Sequence, residues 1–239
     1  MNRSVCFAIL LGGLLAVSPP TTQAENWPAW RGPRGDGSCI ENGIPTAWDP
    51  ANAIWKIALP GQGHASPVVW GNRVCTVTGL AESKERVLLC IDRASGKILW
   101  QETVVQGALQ KLHKENSYAS STPATDGERV YVSFRVGDDI VVAAHDLRTG
   151  KQLWQVRPGT HSGGWGFSNP PVLFQDKLII DGDGKEDSFL IALNPSNGAT
   201  IWRKSRTNKG ISYSAPFIRE LAGRTPMIQC GDRCVTSFN

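Results

Sequence analysis

One eleven-residue phrase is written three times along this chain, and nothing else in the sequence restricts the fold as strongly. The copies are Cys90-Ile-Asp92-Arg-Ala-Ser-Gly96-Lys97-Ile-Leu-Trp100, Ala144-His-Asp146-Leu-Arg-Thr-Gly150-Lys151-Gln-Leu-Trp154 and Ala192-Leu-Asn194-Pro-Ser-Asn-Gly198-Ala-Thr-Ile-Trp202. Their opening Asp or Asn residues stand 54 and 48 residues apart, and Ser237-Phe238-Asn239 supplies another Asn 45 residues on. Pro67, Pro123, Pro171 and Pro216 keep the same beat, at 56, 48 and 45. Two markers that drift together exclude a chance match. A period of roughly 40–50 residues marks a stacked repeat, so the architecture precedes any local reading.

Within each unit the apolar residues fall in short β-branched runs between turn residues. The first unit reads Ser66–Trp70, Arg73–Thr78, Arg86–Ile91 and Lys97–Glu102. The second reads Ser121–Thr125, Arg129–Phe134, Ile140–Ala144 and Lys151–Val156, and the third Asn169–Leu173, Lys177–Asp181, Ser188–Leu193 and Thr200–Arg203. Runs of this kind are strands. Four strands per unit without helical periodicity predict an all-β chain: a β-propeller of four-stranded antiparallel blades.

The phrase has a physical reading of its own. Asp92, Asp146 and Asn194 close the third strand, where a short side-chain oxygen accepts from amides inside the turn. Gly96, Gly150 and Gly198 supply the positive φ that the hairpin requires. Trp100, Trp154 and Trp202 then fall in the outermost strand. There a flat ring can wedge between blades while its N–H finds a backbone acceptor.

Ala144, Asp146, Gly150, Lys151 and Trp154 meet in full the pattern Ala-x-Asp-x-x-x-Gly-Lys-x-x-Trp, which resembles the tryptophan-docking motif of the PQQ-like (pyrroloquinoline-quinone-type) β-propellers. The first copy departs with Cys90, the third with Asn194 and Ala199. Trp27 to Gly37 resembles the opening segment of secreted bacterial members, and Ala53-Ile-Trp55-Lys56 reads as a lone outer strand. The expected organisation is a signal peptide over 1–24, an N-terminal segment over 25–63 and a partial propeller over 64–239. That last span holds three blades and part of a fourth, whereas propellers close with about 4–8. The expectation is an incomplete ring, with the chain a fragment of a longer protein.

The leader follows from its composition. Met1-Asn2-Arg3 is basic, Ser4 to Val17 is apolar and uncharged, and Thr22-Gln23-Ala24 offers small residues for cleavage. The apolar run is short of the roughly 20 residues of a spanning helix, and no Leu-x-x-Cys lipidation pattern precedes the cleavage site. Export to the periplasm or the exterior is therefore expected, with no transmembrane segment in the mature chain. The net charge of +4 is spread without a Lys/Arg run, which argues against nucleic acid. Cys39, Cys75, Cys90, Cys230 and Cys234 remain after cleavage. Cys75 and Cys90, on neighbouring strands, either bridge or serve as small buried hydrophobes.

The family includes quinoprotein dehydrogenases, which hold PQQ with calcium over the axis, use an aspartate as base and often stack the quinone on a vicinal disulfide. This chain has no adjacent cysteine pair and no motif-matched set of calcium ligands, so no cofactor is expected. PQQ with calcium stands as the alternative. Asp181 and Asp183, in an acidic Gly-rich loop, could offer oxygen ligands, but a solvated hairpin loop is the reading preferred. His145 reads as a surface residue at a strand end, while His64 and His161 could face the axis.

Residues leading into the innermost strands remain as binding candidates: His64, Ser66, Asn116, Tyr118, Ser120, Phe167, Ser168 and Tyr213. Such loops share one face around a propeller axis, and polar plus aromatic side chains there suit recognition. The expected function is a non-catalytic binding or scaffold module whose partner is another protein or an envelope component. A PQQ-dependent dehydrogenase and an outer-membrane protein assembly factor are the alternatives.

Overall fold

The computed structural model describes residues 24–207 and 209–239, so the predicted signal peptide lies, but for Ala24, outside the described residues. Four antiparallel sheets follow one another along the chain. The first contains β1 (Val68–Trp70), β2 (Arg73–Leu80), β3 (Glu85–Asp92) and β4 (Ile98–Gln106). The second contains β5 (Ala124–Thr125), β6 (Arg129–Val136), β7 (Asp139–Asp146) and β8 (Gln152–Thr160). The third contains β9 (Val172–Phe174), β10 (Lys177–Asp181), β11 (Phe189–Leu193) and β12 (Thr200–Ser205), and the fourth β13 (Phe217–Ile218), β14 (Met227–Gly231) and β15 (Cys234–Phe238). Strand order is sequential in every sheet and the ring is not closed, as in an incomplete β-propeller.

The core lies between blades. Side chains alternate across a strand, so a middle strand covered on both sides reads as a continuous apolar run. In β6, Val130, Val132 and Phe134 face Leu88 and Cys90 of the first blade, whereas Tyr131 packs toward Leu178 and Ile191 of the third. Ile179, Leu190 and Ala192 meet Ile218, Met227 and Phe238 in the same way. Each fully buried large aliphatic contributes roughly 1.5–3 kcal/mol relative to exposure, so blade-to-blade contact is the main source of stability.

The repeated phrase lies at these seams. Asp92 Oδ1 accepts from Ser95 N at 2.7 Å, Asp146 Oδ1 from Thr149 N at 2.7 Å, and Asn194 Oδ1 from Ser196 N at 2.8 Å. Gly96, Gly150 and Gly198 have φ of 73°, 80° and 73°. The Trp100 ring lies on Gly150 and the Trp154 ring on Gly198, where an added Cβ would come within 2.8 and 2.7 Å. Their indole N–H groups donate to Leu147 O at 3.2 Å and Pro195 O at 2.8 Å. Each tryptophan therefore caps the turn of the next blade. Trp202 packs into the seam between the third and fourth sheets.

Residues 53–56 form no strand. Trp55 nevertheless covers Gly96 and donates to Arg93 O at 2.8 Å, the same docking contact one blade earlier. His145 is buried rather than at the surface, with Nδ1 2.8 Å from Gly150 O beneath the docking turn. Cys75 and Cys90 are directly opposed on β2 and β3, both buried and free. Cys230 pairs with Val235 and Gly231 with Cys234, which puts Cys230 and Cys234 on opposite faces of their hairpin.

The N-terminal segment crosses the inner edge. Trp27 exchanges both backbone hydrogen bonds with Val69 at 2.8 Å, and Pro28 O accepts from Thr125 N at 2.8 Å. Asp36 reaches Arg219 at 3.5 Å near the fourth sheet. A bidentate Arg34–Glu25 pair at 2.7 Å holds this loop together, and Trp27 folds back over Gly32.

Candidate functional site

The loops that join β4 to β5, β8 to β9 and β12 to β13 emerge at the end of the blades opposite the docking turns. Two of them are pinned by buried guanidinium groups. Arg86, in β3, donates to Gly107 O, Ala108 O and Gln110 Oε1 in the first loop and to Arg135 O of the next blade. Burial holds its pKa below the ordinary arginine value, and no carboxylate compensates it. Arg135, in β6, donates to Gly137 O, to Gly163 O in the second loop and to Asp138 Oδ1 at 2.6 Å. Hydrogen bonds from a charged donor are worth about 1.5–3 kcal/mol each, so these loops are fixed in place.

Sequence reasoning missed these arginines. In the sequence Arg86 only opens the run Arg86–Ile91.

The pinned loops meet at a cleft of about 110 Å³ lined by Trp30, His64, Ser66, Ser120, Thr122, Ser168 and Tyr213 among others. Beside it lies a shallower hollow of about 280 Å³ between His113, Glu115, Asn116, Trp165, Ser168 and Tyr213. Of the eight residues expected on this face, His64, Ser66, Ser120, Ser168 and Tyr213 line the first and Asn116 the second. Phe167 is instead buried in the seam between the second and third blades, where it packs with Leu178 and Phe189. Tyr118 covers Arg86, with the guanidinium 5.4 Å from its ring centroid. An aromatic beside a buried cation gains from both dispersion and its quadrupole, which takes Tyr118 off the face.

His161 is fully buried beneath the hollow and does not line it. Its ring meets the edges of Phe167 at 5.3 Å and Tyr213 at 5.8 Å, and neither ring nitrogen has a hydrogen-bond partner among the described residues. Burial, and secondarily the Arg135 charge, lowers its pKa to about 4. The imidazole is a neutral packing element that supports Tyr213.

Asp181 and Asp183 are likewise buried, and the expected solvated loop is absent at both positions. Asp183 faces the buried Arg206 guanidinium at 2.8 Å and accepts from Ser188 Oγ at 2.8 Å. Asp181 accepts from Asp183 N at 2.9 Å and from Asn169 Nδ2 at 3.3 Å. Its pKa is pushed well up by burial and then by the Asp183 charge. The acidic Gly-rich stretch is a polar seam between the third and fourth blades, joined by Gln229 from β14.

These residues do not fit calcium, which needs several anionic or carbonyl oxygens around one point. One of the two carboxylates already holds a guanidinium, and the other is driven toward its neutral form. The axial cleft, of about 110 Å³ among the described residues, is small against the roughly 300–1,000 Å³ of pockets that enclose a cofactor.

Among the described residues no helix is long and apolar enough to cross a membrane. No curated protein matches the chain. Among solved structures it is similar to BamB from Moraxella catarrhalis, with 18% identity and a TM-score of 0.51, covering 77% of this chain and 50% of that one. It is also similar to a europium-containing methanol dehydrogenase (18%, TM-score 0.47, covering 63% and 26%). A quinohemoprotein alcohol dehydrogenase from Pseudomonas putida HK5 matches too (18%, TM-score 0.49, covering 69% and 31%). The chain spans between 26% and 50% of the length of these proteins. At such identity the likeness speaks to fold alone. A family model described as "Outer membrane protein assembly factor BamB" matches residues 41–239, and the chain belongs to that family of PQQ-like β-propellers.

Proposed function

We propose that this protein is an exported, non-catalytic propeller module that holds a partner of the cell envelope on the face built by its lead-in loops. One observation carries the reading: loops from successive blades, anchored by the buried Arg86 and Arg135, converge on a cleft lined by hydroxyls, His64 and two aromatic rings. Donors, acceptors and flat apolar surfaces on a rigid support are the ingredients of recognition. The buried carboxylates that could serve as an acid–base pair are engaged with Arg206, Asn169 and Gln229. The similarity to an assembly factor favours a protein-binding role in the envelope over redox chemistry.

The test pairs two measurements on the purified protein. A double variant, His64→Ala with Tyr213→Ala, should lose the envelope component that the parent retains, while its melting temperature stays within a few degrees. Incubation with PQQ and calcium should give no quinone absorbance and no alcohol-dependent dye reduction. Dye reduction would overturn the non-catalytic reading, and full retention of the partner by the double variant would move the binding face elsewhere.

A further inference from the structure

The lead-in face displays an aromatic that stability does not require. Trp165 is 68% exposed. Its ring lies parallel to Tyr213, at an interplanar angle of 7° with centroids 6.3 Å apart, and His113 tilts against it at 6.2 Å. A large ring left in water forgoes most of its burial energy, and its backbone is clamped in that position. Trp165 N donates to Tyr213 Oη at 3.3 Å, and Trp165 O accepts from Asn116 Nδ2 at 2.6 Å. Gly166 follows with φ 112°, and a Cβ there would stand 2.4 Å from Asn116 Nδ2. The glycine is what allows Asn116 to hold the tryptophan outward. Tyr213 in turn rests on the buried His161.

We propose that Trp165, Tyr213 and the adjoining hydroxyl-lined cleft form a saccharide site that takes a neutral hexose unit of an oligosaccharide. This rests on the reading of the lead-in face as a binding surface and names its ligand class. A pyranose has an apolar C–H face and an equator of hydroxyls that both donate and accept. The parallel rings supply a flat apolar shelf for the first. Ser66, Ser168 and His64, whose side chains have no hydrogen-bond partner among the described residues, supply the second within the shared hollow. Glu115 is the one carboxylate there, and no lysine or arginine among the described residues lines either part, which suits a neutral ligand over an anionic one.

An extended peptide is the competing occupant. Peptides that join a sheet do so through free backbone groups at a strand edge. Here Val69 N and Thr125 N on the inner edge are already bonded to Trp27 O and Pro28 O. The chain's own N-terminal segment occupies the place such a peptide would take.

The test titrates maltohexaose, cellohexaose and chitohexaose into the full chain by calorimetry and intrinsic fluorescence. At least one should bind saturably with a Kd near or below ~1 mM and change the tryptophan emission. Loss of the shelf in Trp165→Ala should weaken binding by about tenfold, the upper range for one aromatic stacking contact, while Trp165→Tyr keeps most of it. Circular dichroism and melting temperature should be unchanged in both. No saturable binding of any of the three up to ~10 mM, or binding that Trp165→Ala leaves intact, overturns the proposal. A photo-crosslinking residue at position 168 separates the two readings. If it captures a defined envelope protein while the sugars fail, the saccharide proposal falls and the binding face stands; if both fail, so does the face.

Discussion

The two ends of each blade obey different rules. At the docking turns the first three blades do the same thing: a carboxylate or amide oxygen caps the loop, a glycine takes positive φ, and a tryptophan from earlier in the chain lies over it. At the lead-in loops the aromatic and ring-bearing residues differ from unit to unit. The first carries His113 and Asn116, the second Trp165 between glycines, and the third the run Ser212-Tyr213-Ser214. A contact that must recur at every seam is constrained to one solution. A surface that meets a ligand once is free to use different residues in each blade, provided its support is rigid. Repetition here reports stability, and its breakdown reports function.

Trp154→Ala should break the comparison most severely. The ring is nearly buried on Gly198, and its N–H bonds Pro195 O. The cost of such a truncation is about 3–5 kcal/mol, read as a lower urea midpoint at unchanged m-value, with ligand binding retained wherever the fold survives.

A smaller effect comes from His161, beneath the lead-in face. The native ring stays neutral down to about pH 4, while the unfolded chain protonates near 6.5. Its stabilising contribution is therefore complete above the unfolded value and declines as pH falls toward the folded one. The difference is on the order of 2–3 kcal/mol. Stability curves from pH 7 to 4 should be flatter for His161→Phe than for the parent; parallel curves would show that His161 is not held neutral.

Trp165→Ala should barely register in unfolding, within about 0.5 kcal/mol as for exposed positions generally. It is therefore the variant that isolates function from fold. A large loss of stability would place Trp165 among the structural tryptophans.

The legibility of the chain follows the same division. The period, the strand runs and the turn chemistry of Asp146 and Gly150 are local, so they could be read directly from residue order. The contacts of Trp55 and Trp154 extend that logic by one blade. His145, Asp181 and Asp183 could not be placed this way. A polar residue flanking an apolar run looks solvated until the neighbouring blade covers it, and the covering residues Arg206 and Gln229 lie 23 and 48 positions from Asp183 and Asp181. Arg86 was opaque for the same reason: most of its acceptors are backbone carbonyls, which leave no mark on a sequence.

Residue order alone therefore settled the repeat unit, the number of strands in it and the residues that join one blade to the next, because those follow from hydrophobic period and turn geometry. Only tertiary structure decided which side chains share the lead-in face, that Phe167 and Tyr118 leave it, and that Trp165 stands out from it. Burial and proximity across blades are properties of packing, set by segments some 50 residues apart. The repeated phrase specifies how blades join, and the unrepeated loops at the opposite end form the proposed binding face that the joined blades make rigid.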